Sequence, residues 1–276
     1  MNKKIVVLDD YENAYKRLSN WGKIESKAQV EIFHQPLTGE ALLKALKGVH
    51  GLVLMRDRTP LQAGLIEQLP LLEHVVFTGT RNLALDVAAL KARNITISHT
   101  EWGPSKESTA ELTWALILGI HKRIVEQNTL LLKQEWRNTN SLLPVLNGQT
   151  LGLIGLGEIG SRVAKVAQAF GMNVLTWSPN MTPERAAAIG VTSVSLEELL
   201  KRSQIISLHL VASPTTKGLL SKEKIALMQK DALLINTSRS TLVDTEALVH
   251  ALNNRLIGGA AIDVFDHEPL DPHHPL

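Results

Sequence analysis

Leu151-Gly152-Leu153-Ile154-Gly155-Leu156-Gly157-Glu158-Ile159-Gly160 limits the fold of this chain more than any other stretch. It contains a G-x-G-x-x-G pattern, and its flanks give that pattern meaning. Residues 150–154 read as a short apolar strand. Ile159, Val163, Val166 and Ala167 then recur at helical spacing. Residues 173–177 read as a second strand, which completes a β-α-β unit of about 30 residues. Each glycine has a separate task in such a unit. Gly155 turns the chain off the strand, Gly157 leaves the backbone open to a pyrophosphate, and Gly160 lets helix and strand pack closely. The first helical amides, at Glu158 and Ile159, then face the phosphate anions. A strand-to-helix turn without a ligand is the plainer alternative, and the complete unit favours the dinucleotide.

The chain has 276 residues, enough for two domains, with a formal charge of +2 and no cysteine. There is no basic run to hold nucleic acid, no disulfide framework and no thiolate chemistry. No cluster of metal ligands stands out. No apolar run approaches membrane-spanning length, and Met1-Asn2-Lys3-Lys4 leads directly into a strand. A cytoplasmic protein is expected.

Residues 1–100 alternate strand and helix. Apolar runs at 5–8, 30–33, 51–55, 75–77 and 95–97 read as buried parallel strands, with Thr38 as a candidate helix cap. This predicts a small doubly wound α/β domain. Residues 98–104, which include Trp102, are expected to cross into the second domain, which takes in 101–276. A long apolar helix follows from Ser105 or Ser108, with Leu112, Ala115, Leu116, Leu118, Gly119 and Ile120. It suits an interdomain or dimer contact, and a loop over 138–148 leads into the nucleotide strand. Further on, Ser195-Leu196-Glu197-Glu198 reads as a capping box. Strands are expected at 205–210, 233–236 and 259–264, with a helix at 244–252. His209, Arg239 and Asp263 then fall at carboxyl ends of strands, where open α/β sheets bind their ligands.

Several motifs together resemble the D-isomer-specific 2-hydroxyacid dehydrogenase family. They are Thr78-Gly79-Thr80-Arg81-Asn82, Ser108-Thr109-Ala110-Glu111-Leu112, the glycine pattern, Ile235-Asn236-Thr237-Ser238-Arg239, and Asp263-Val264-Phe265-Asp266-His267-Glu268-Pro269-Leu270. The resemblance implies a flavodoxin-like substrate domain and a Rossmann domain for NAD or NADP. It implies hydride transfer between that coenzyme and a small 2-oxo acid or D-2-hydroxy acid. The long apolar helix from about Ser105 suggests a homodimer. Arg239 would hold the substrate carboxylate and polarise the 2-oxo group, assisted by amides around Gly79 and Thr80. Glu268 would support a catalytic histidine. Asp263 would contact the nicotinamide side of the coenzyme. Thr237, Ser238 and Val211 would line its cleft, which His209 would help to shape.

Two departures from the family pattern follow. After the second nucleotide strand stands Trp177-Ser178-Pro179-Asn180, where NAD-preferring members carry an acid for the ribose 2′-hydroxyl. Ser178 and Asn180 could hydrogen-bond a 2′-phosphate, with Arg185 a helical turn away, so tolerance of NADP is expected. The family's histidine lies beyond the eight residues that follow Glu268. His267, His273 and His274 do not match its position. Slow turnover and poor solubility are therefore expected of these 276 residues. The alternative function is a non-catalytic dinucleotide-binding protein that recognises other proteins.

Overall fold

The computed structural model describes residues 3–101, 103–136 and 141–276. Met1-Asn2, Trp102 of the expected crossing segment and residues 138–140 of the expected loop lie outside the described residues. The chain divides into two compact units, Met1–Gly103 and Pro104–Leu276.

The first unit runs β1 (Lys3–Val7), α1 (Tyr15–Leu18), α2 (Gly22–Glu25), β2 (Ala28–Ile32), α3 (Gly39–Leu46), β3 (Gly51–Leu54), α4 (Ala63–Glu67), β4 (His74–Phe77), α5 (Val87–Ala92) and β5 (Thr96–His99). The strands pair in parallel in the order β2-β1-β3-β4-β5, the flavodoxin-like arrangement. Helices cover a parallel sheet on both faces, so its strands read as nearly unbroken apolar runs. Val6, Leu8, Leu52, Leu54 and Val75 fill the core with Leu46, Ile66 and Leu90 from the helices. The first two strands begin two residues earlier than the apolar pattern suggests. Lys3 and Lys4 pair with Ala28 and Gln29, because ladder bonds use the backbone whatever the side chain. Thr38 precedes α3, but its hydroxyl makes no cap bond. Gly39 follows it in the left-handed region (φ 54°), so the first turn is not a regular one.

The second unit opens with α6 (Ser105–His121) and α7 (Ile124–Leu132). Then come β6 (Thr150–Ile154), α8 (Glu158–Ala169), β7 (Asn173–Trp177), α9 (Pro183–Ala187), β8 (Thr192–Ser193), α10 (Leu196–Arg202), β9 (Ile205–Leu208), α11 (Lys222–Ile225), β10 (Leu233–Asn236), α12 (Thr245–Asn253) and β11 (Gly259–Ile262). Its parallel sheet has the order β11-β10-β9-β6-β7-β8. That is the doubly wound dinucleotide fold, with its switch point between β6 and β9. Ser195 caps α10 by accepting from the Glu198 amide at 3.1 Å. The reciprocal half of the capping box is missing, because the Glu198 carboxylate pairs with Arg202.

The α6 helix buries only part of its apolar run. Ala110, Thr113, Trp114, Ile117 and His121 are buried, whereas Leu112 is exposed. Apolar residues surround this helix, so its sequence does not mark which side turns inward. No helix among the described residues is long and apolar enough to cross a membrane.

Gly152 is a close-packing position in the middle of β6. A Cβ there would lie 2.4 Å from the Ser203 hydroxyl and 2.5 Å from a methyl of Leu199 on α10. Both neighbours are fully buried and have little room to move. Gly152→Ala is expected to cost about 1–3 kcal/mol of stability, read as a lower urea midpoint at unchanged m-value.

Candidate functional site

The glycine turn of the second unit sits at the switch point, and its three glycines face different surroundings. Gly155 has φ 106°, and a Cβ there would lie 2.7 Å from the backbone of His209. A Cβ on Gly160 would lie 2.2 Å from the Gly155 carbonyl oxygen. The chain itself therefore requires both glycines. Gly157 differs, because a Cβ there would meet nothing within 4 Å. Space beside a backbone is what an approaching pyrophosphate needs. The amides of Glu158 and Ile159 open α8, where helical geometry offers them no carbonyl partner. These residues fit a dinucleotide. The Glu158 carboxylate is drawn aside by Lys106 and Arg162, which leaves its amide as the group available to an anion. Ile159 packs its side chain against the core.

On one side of this turn, β7 ends at Trp177. Ser178 is half-buried and Asn180 is exposed. Arg185 is nearer to them than its place in the sequence suggests. Thr182 caps α9, and the Arg185 guanidinium reaches back to donate to the Asn180 carbonyl at 2.8 Å. The loop after β7 therefore carries a positive charge and no carboxylate.

On the other side, β9 leads into His209, Leu210 and the 61 % exposed Val211. The His209 Nε2 and the Ser207 hydroxyl are 2.9 Å apart. Burial holds this imidazole well below its ordinary range, at about 4, so it is neutral at physiological pH.

The exit of β10 depends on Asn236, which is 1 % exposed. Its carboxamide accepts from the Ser238 amide at 3.0 Å and donates to the Arg239 carbonyl at 3.0 Å. One side chain thus closes the turn that presents Thr237, Ser238 and Arg239. The Thr237 hydroxyl lies 2.9 Å from that of Thr113 on α6, and Ser238 donates to the Leu210 carbonyl. Arg239 is exposed and donates to its neighbour's carbonyl at 2.8 Å. Asn236 belongs to a quoted motif, yet this organising role could not be read from it. A buried asparagine in a strand was the available signal.

Beyond β11, the Asp263 amide donates to the Asn236 carbonyl at 3.0 Å. Its carboxyl is raised above the ordinary carboxylate range by burial and then by the charge of Glu268. Glu268 accepts from the Phe265 amide at 3.0 Å. Asp263 and Glu268 are therefore close enough to interact. No histidine is hydrogen-bonded to Glu268 among the described residues. The His274 ring instead meets Phe265 edge-on, with centroids 6.0 Å apart.

In the first unit, Gly79 follows β4 with φ 88°. Its amide donates to the Thr100 hydroxyl at 2.9 Å, so it is already engaged. Thr80 is half-buried, and its amide is the neighbouring donor for an anion. No group of three or more metal-ligating side chains occurs among the described residues.

A doubly wound unit with this glycine turn has the architecture of a dinucleotide-binding domain, and comparison with known proteins says which one. Residues 114–276 match the family model described as D-isomer specific 2-hydroxyacid dehydrogenase, NAD binding domain. The chain is 38 % identical over 251 residues to a glyoxylate reductase of Aeropyrum pernix, covering 88 % of this chain and 74 % of that protein. It is 36 % identical over 268 residues to a D-3-phosphoglycerate dehydrogenase of Methanocaldococcus jannaschii, with 96 % of this chain and 49 % of that protein covered. The chain therefore spans about half the length of that second relative. Among solved structures, a phosphoglycerate oxidoreductase of Vibrio cholerae superposes with a TM-score of 0.89 at 32 % identity, over 99 % of this chain and 87 % of that one. This chain belongs to the D-isomer specific 2-hydroxyacid dehydrogenase family. By family it is an NAD-dependent oxidoreductase, which favours the enzyme over the non-catalytic alternative.

The neutral imidazole of His209 has a consequence for pH. The unfolded chain takes up a proton near pH 6.5, and the folded chain does so only near 4. Below 6.5 the unfolded state thus binds more protons, and stability falls with pH until it levels near 4. The loss between pH 7.5 and 5 is on the order of 2 kcal/mol. This is an upper value, because the residue as a whole is only half-buried. Urea midpoints of the wild type and His209→Asn at the two pH values check this, and the variant should lose less stability on acidification.

Proposed function

We propose that this chain binds NAD(H) or NADP(H) at residues 155–160 and acts on a small 2-oxo acid or the matching D-2-hydroxy acid. The open space beside Gly157 carries this reading, since the fold itself does not use it. The amides of Glu158 and Ile159 take the pyrophosphate. Ser178, Asn180 and Arg185 take the adenosine ribose, with or without a 2′-phosphate. Val211, Thr237 and Ser238 line the remainder, and Asp263 meets the nicotinamide end. A bound nicotinamide supplies or accepts the hydride.

Arg239 holds the substrate carboxylate through its planar fork and draws charge from the 2-oxo group. In the first unit, the Thr80 amide, beside Gly79, is the backbone donor proposed for a substrate anion. Glu268 is the carboxylate whose charge would favour a protonated imidazole, a partner that no histidine supplies by hydrogen bond among the described residues. The names of the relatives, which include glyoxylate reductase and phosphoglycerate dehydrogenase, support a small 2-oxo acid. Cytoplasmic residence belongs to the same proposal, since the reaction draws on nicotinamide coenzyme.

Coenzyme binding tests the reading without requiring turnover. Titration with NADH, followed by its fluorescence, should saturate, and NADPH should bind within about tenfold of NADH. Gly157→Ala should leave the melting temperature nearly unchanged and weaken both coenzymes at least about tenfold. Arg185→Gln should weaken NADPH more than NADH. The absence of a saturable signal from folded protein would refute the dinucleotide reading. A strong NADH preference would refute tolerance of NADP.

We also propose that the chain forms a homodimer through the surface of α7 and the segments after it. Val125, Leu132, Trp136 and Leu142 are 77, 78, 76 and 90 % exposed. Apolar exposure on this scale marks a contact surface. Light scattering should give twice the chain mass, and Val125→Glu with Leu132→Glu should give the monomer mass.

A further inference from the structure

Glu158 opens α8 with two groups that act in opposite directions on an incoming pyrophosphate. Its amide attracts the anion, and its carboxylate repels it. The positive end of the helix attracts both anions alike. A loose Glu158 side chain would therefore compete for the amides, or repel a pyrophosphate already held by them. A Cβ on Gly157 would meet nothing within 4 Å, so the fold puts no atoms there to bar a released carboxylate.

An ion network ties the start of α8 to the start of α6, and all of its members lie within the second unit. Arg162 stands one helical turn after Glu158. One arm of its guanidinium donates to the Glu158 carbonyl at 3.0 Å and lies 3.8 Å from the Glu158 carboxylate. The other arm bonds the Glu107 carboxylate of α6 at 2.6 Å. Lys106, also of α6, pairs with the Glu158 carboxylate. Glu158 is thus drawn between cations on two helices, and Glu107 fixes the direction of the Arg162 fork. An isolated surface ion pair contributes little, whereas a network of several charges can hold a geometry. The Lys106 and Arg162 side chains are only 26 and 38 % exposed, which limits screening by solvent.

We propose that Arg162, aided by Lys106, is a positioning residue for coenzyme binding, which holds the Glu158 carboxylate away from the pyrophosphate seat. This rests on the dinucleotide reading of residues 155–160. Arg162 acts through Glu158 and does not itself grip the phosphates. Affinity for the diphosphate of the coenzyme is then set in part by a residue that never touches it. The network also makes an acid tolerable at a position that faces an anion.

Fluorescence titration with NADH across a double-mutant cycle tests this without turnover. Arg162→Met releases the carboxylate and should weaken NADH about fivefold to fiftyfold, the range for one negative charge about 7 Å from a dianion in a watery cleft. Glu158→Gln removes the charge and should bind NADH at least as tightly as the wild type. In the Glu158→Gln background, Arg162→Met should change the affinity less than about twofold. A merely structural arginine would not show this rescue, because its loss would cost the same with either residue at 158. Lys106→Met should repeat the pattern, and it decides the matter if Arg162→Met fails to fold. An Arg162→Met affinity equal to that of the wild type would overturn the assignment and leave the coenzyme reading intact. A loss that persists in the Glu158→Gln background would overturn it as well, because Arg162 would then grip the phosphates itself or only shape α8. Failure of the wild-type chain to bind NADH would overturn both readings.

Discussion

The second unit is organised around a contact that excludes side chains. Gly155 passes so close to the His209 backbone, and Gly160 so close to Gly155, that any Cβ would overlap main-chain atoms. Backbone cannot retreat as a flexible side chain can, so the geometry of β6, β9 and the start of α8 is fixed together. This fixed corner brings the first amides of α8, the exit of β9 and, through Ser238 and Leu210, the Arg239 turn into one neighbourhood. Gly157 lies within the same turn but outside the constraint. Packing explains two of the three glycines and leaves the third to the proposed ligand, a division that the spacing alone does not reveal.

The sheet architecture was legible because parallel strands covered on both faces are written as apolar runs, and β6, β7 and β10 end where those runs end. Polar strand ends such as Lys3 and Lys4 were not legible, since pairing there depends on a neighbouring backbone. The buried face of α6 was hidden for the opposite reason. Apolar residues lie all round that helix, and tertiary contact alone selects Trp114 over Leu112.

The candidate site was partly legible. Motifs pointed to the glycine turn, Arg239, Asp263 and Glu268, whose residue types suit the proposed chemistry. Motifs did not show that Asn236 closes the Arg239 turn with both ends of its carboxamide. They did not show that Arg185 folds back onto Asn180, which follows from Thr182 starting α9 where it does. They did not show the left-handed backbone of Arg56, which Thr78 and Asn82 hold from the loop after β4, because that conformation depends on two loops acting together.

One of the two outer strands of the six-stranded sheet, β8, is two residues long. A strand border with free peptide groups invites another chain to extend the ladder, and a stub this short gives an intruding strand almost nothing to grip. That border of the nucleotide unit is thereby closed to backbone-mediated growth into fibres. Association there has to proceed through complementary side-chain surfaces, which have a defined stoichiometry.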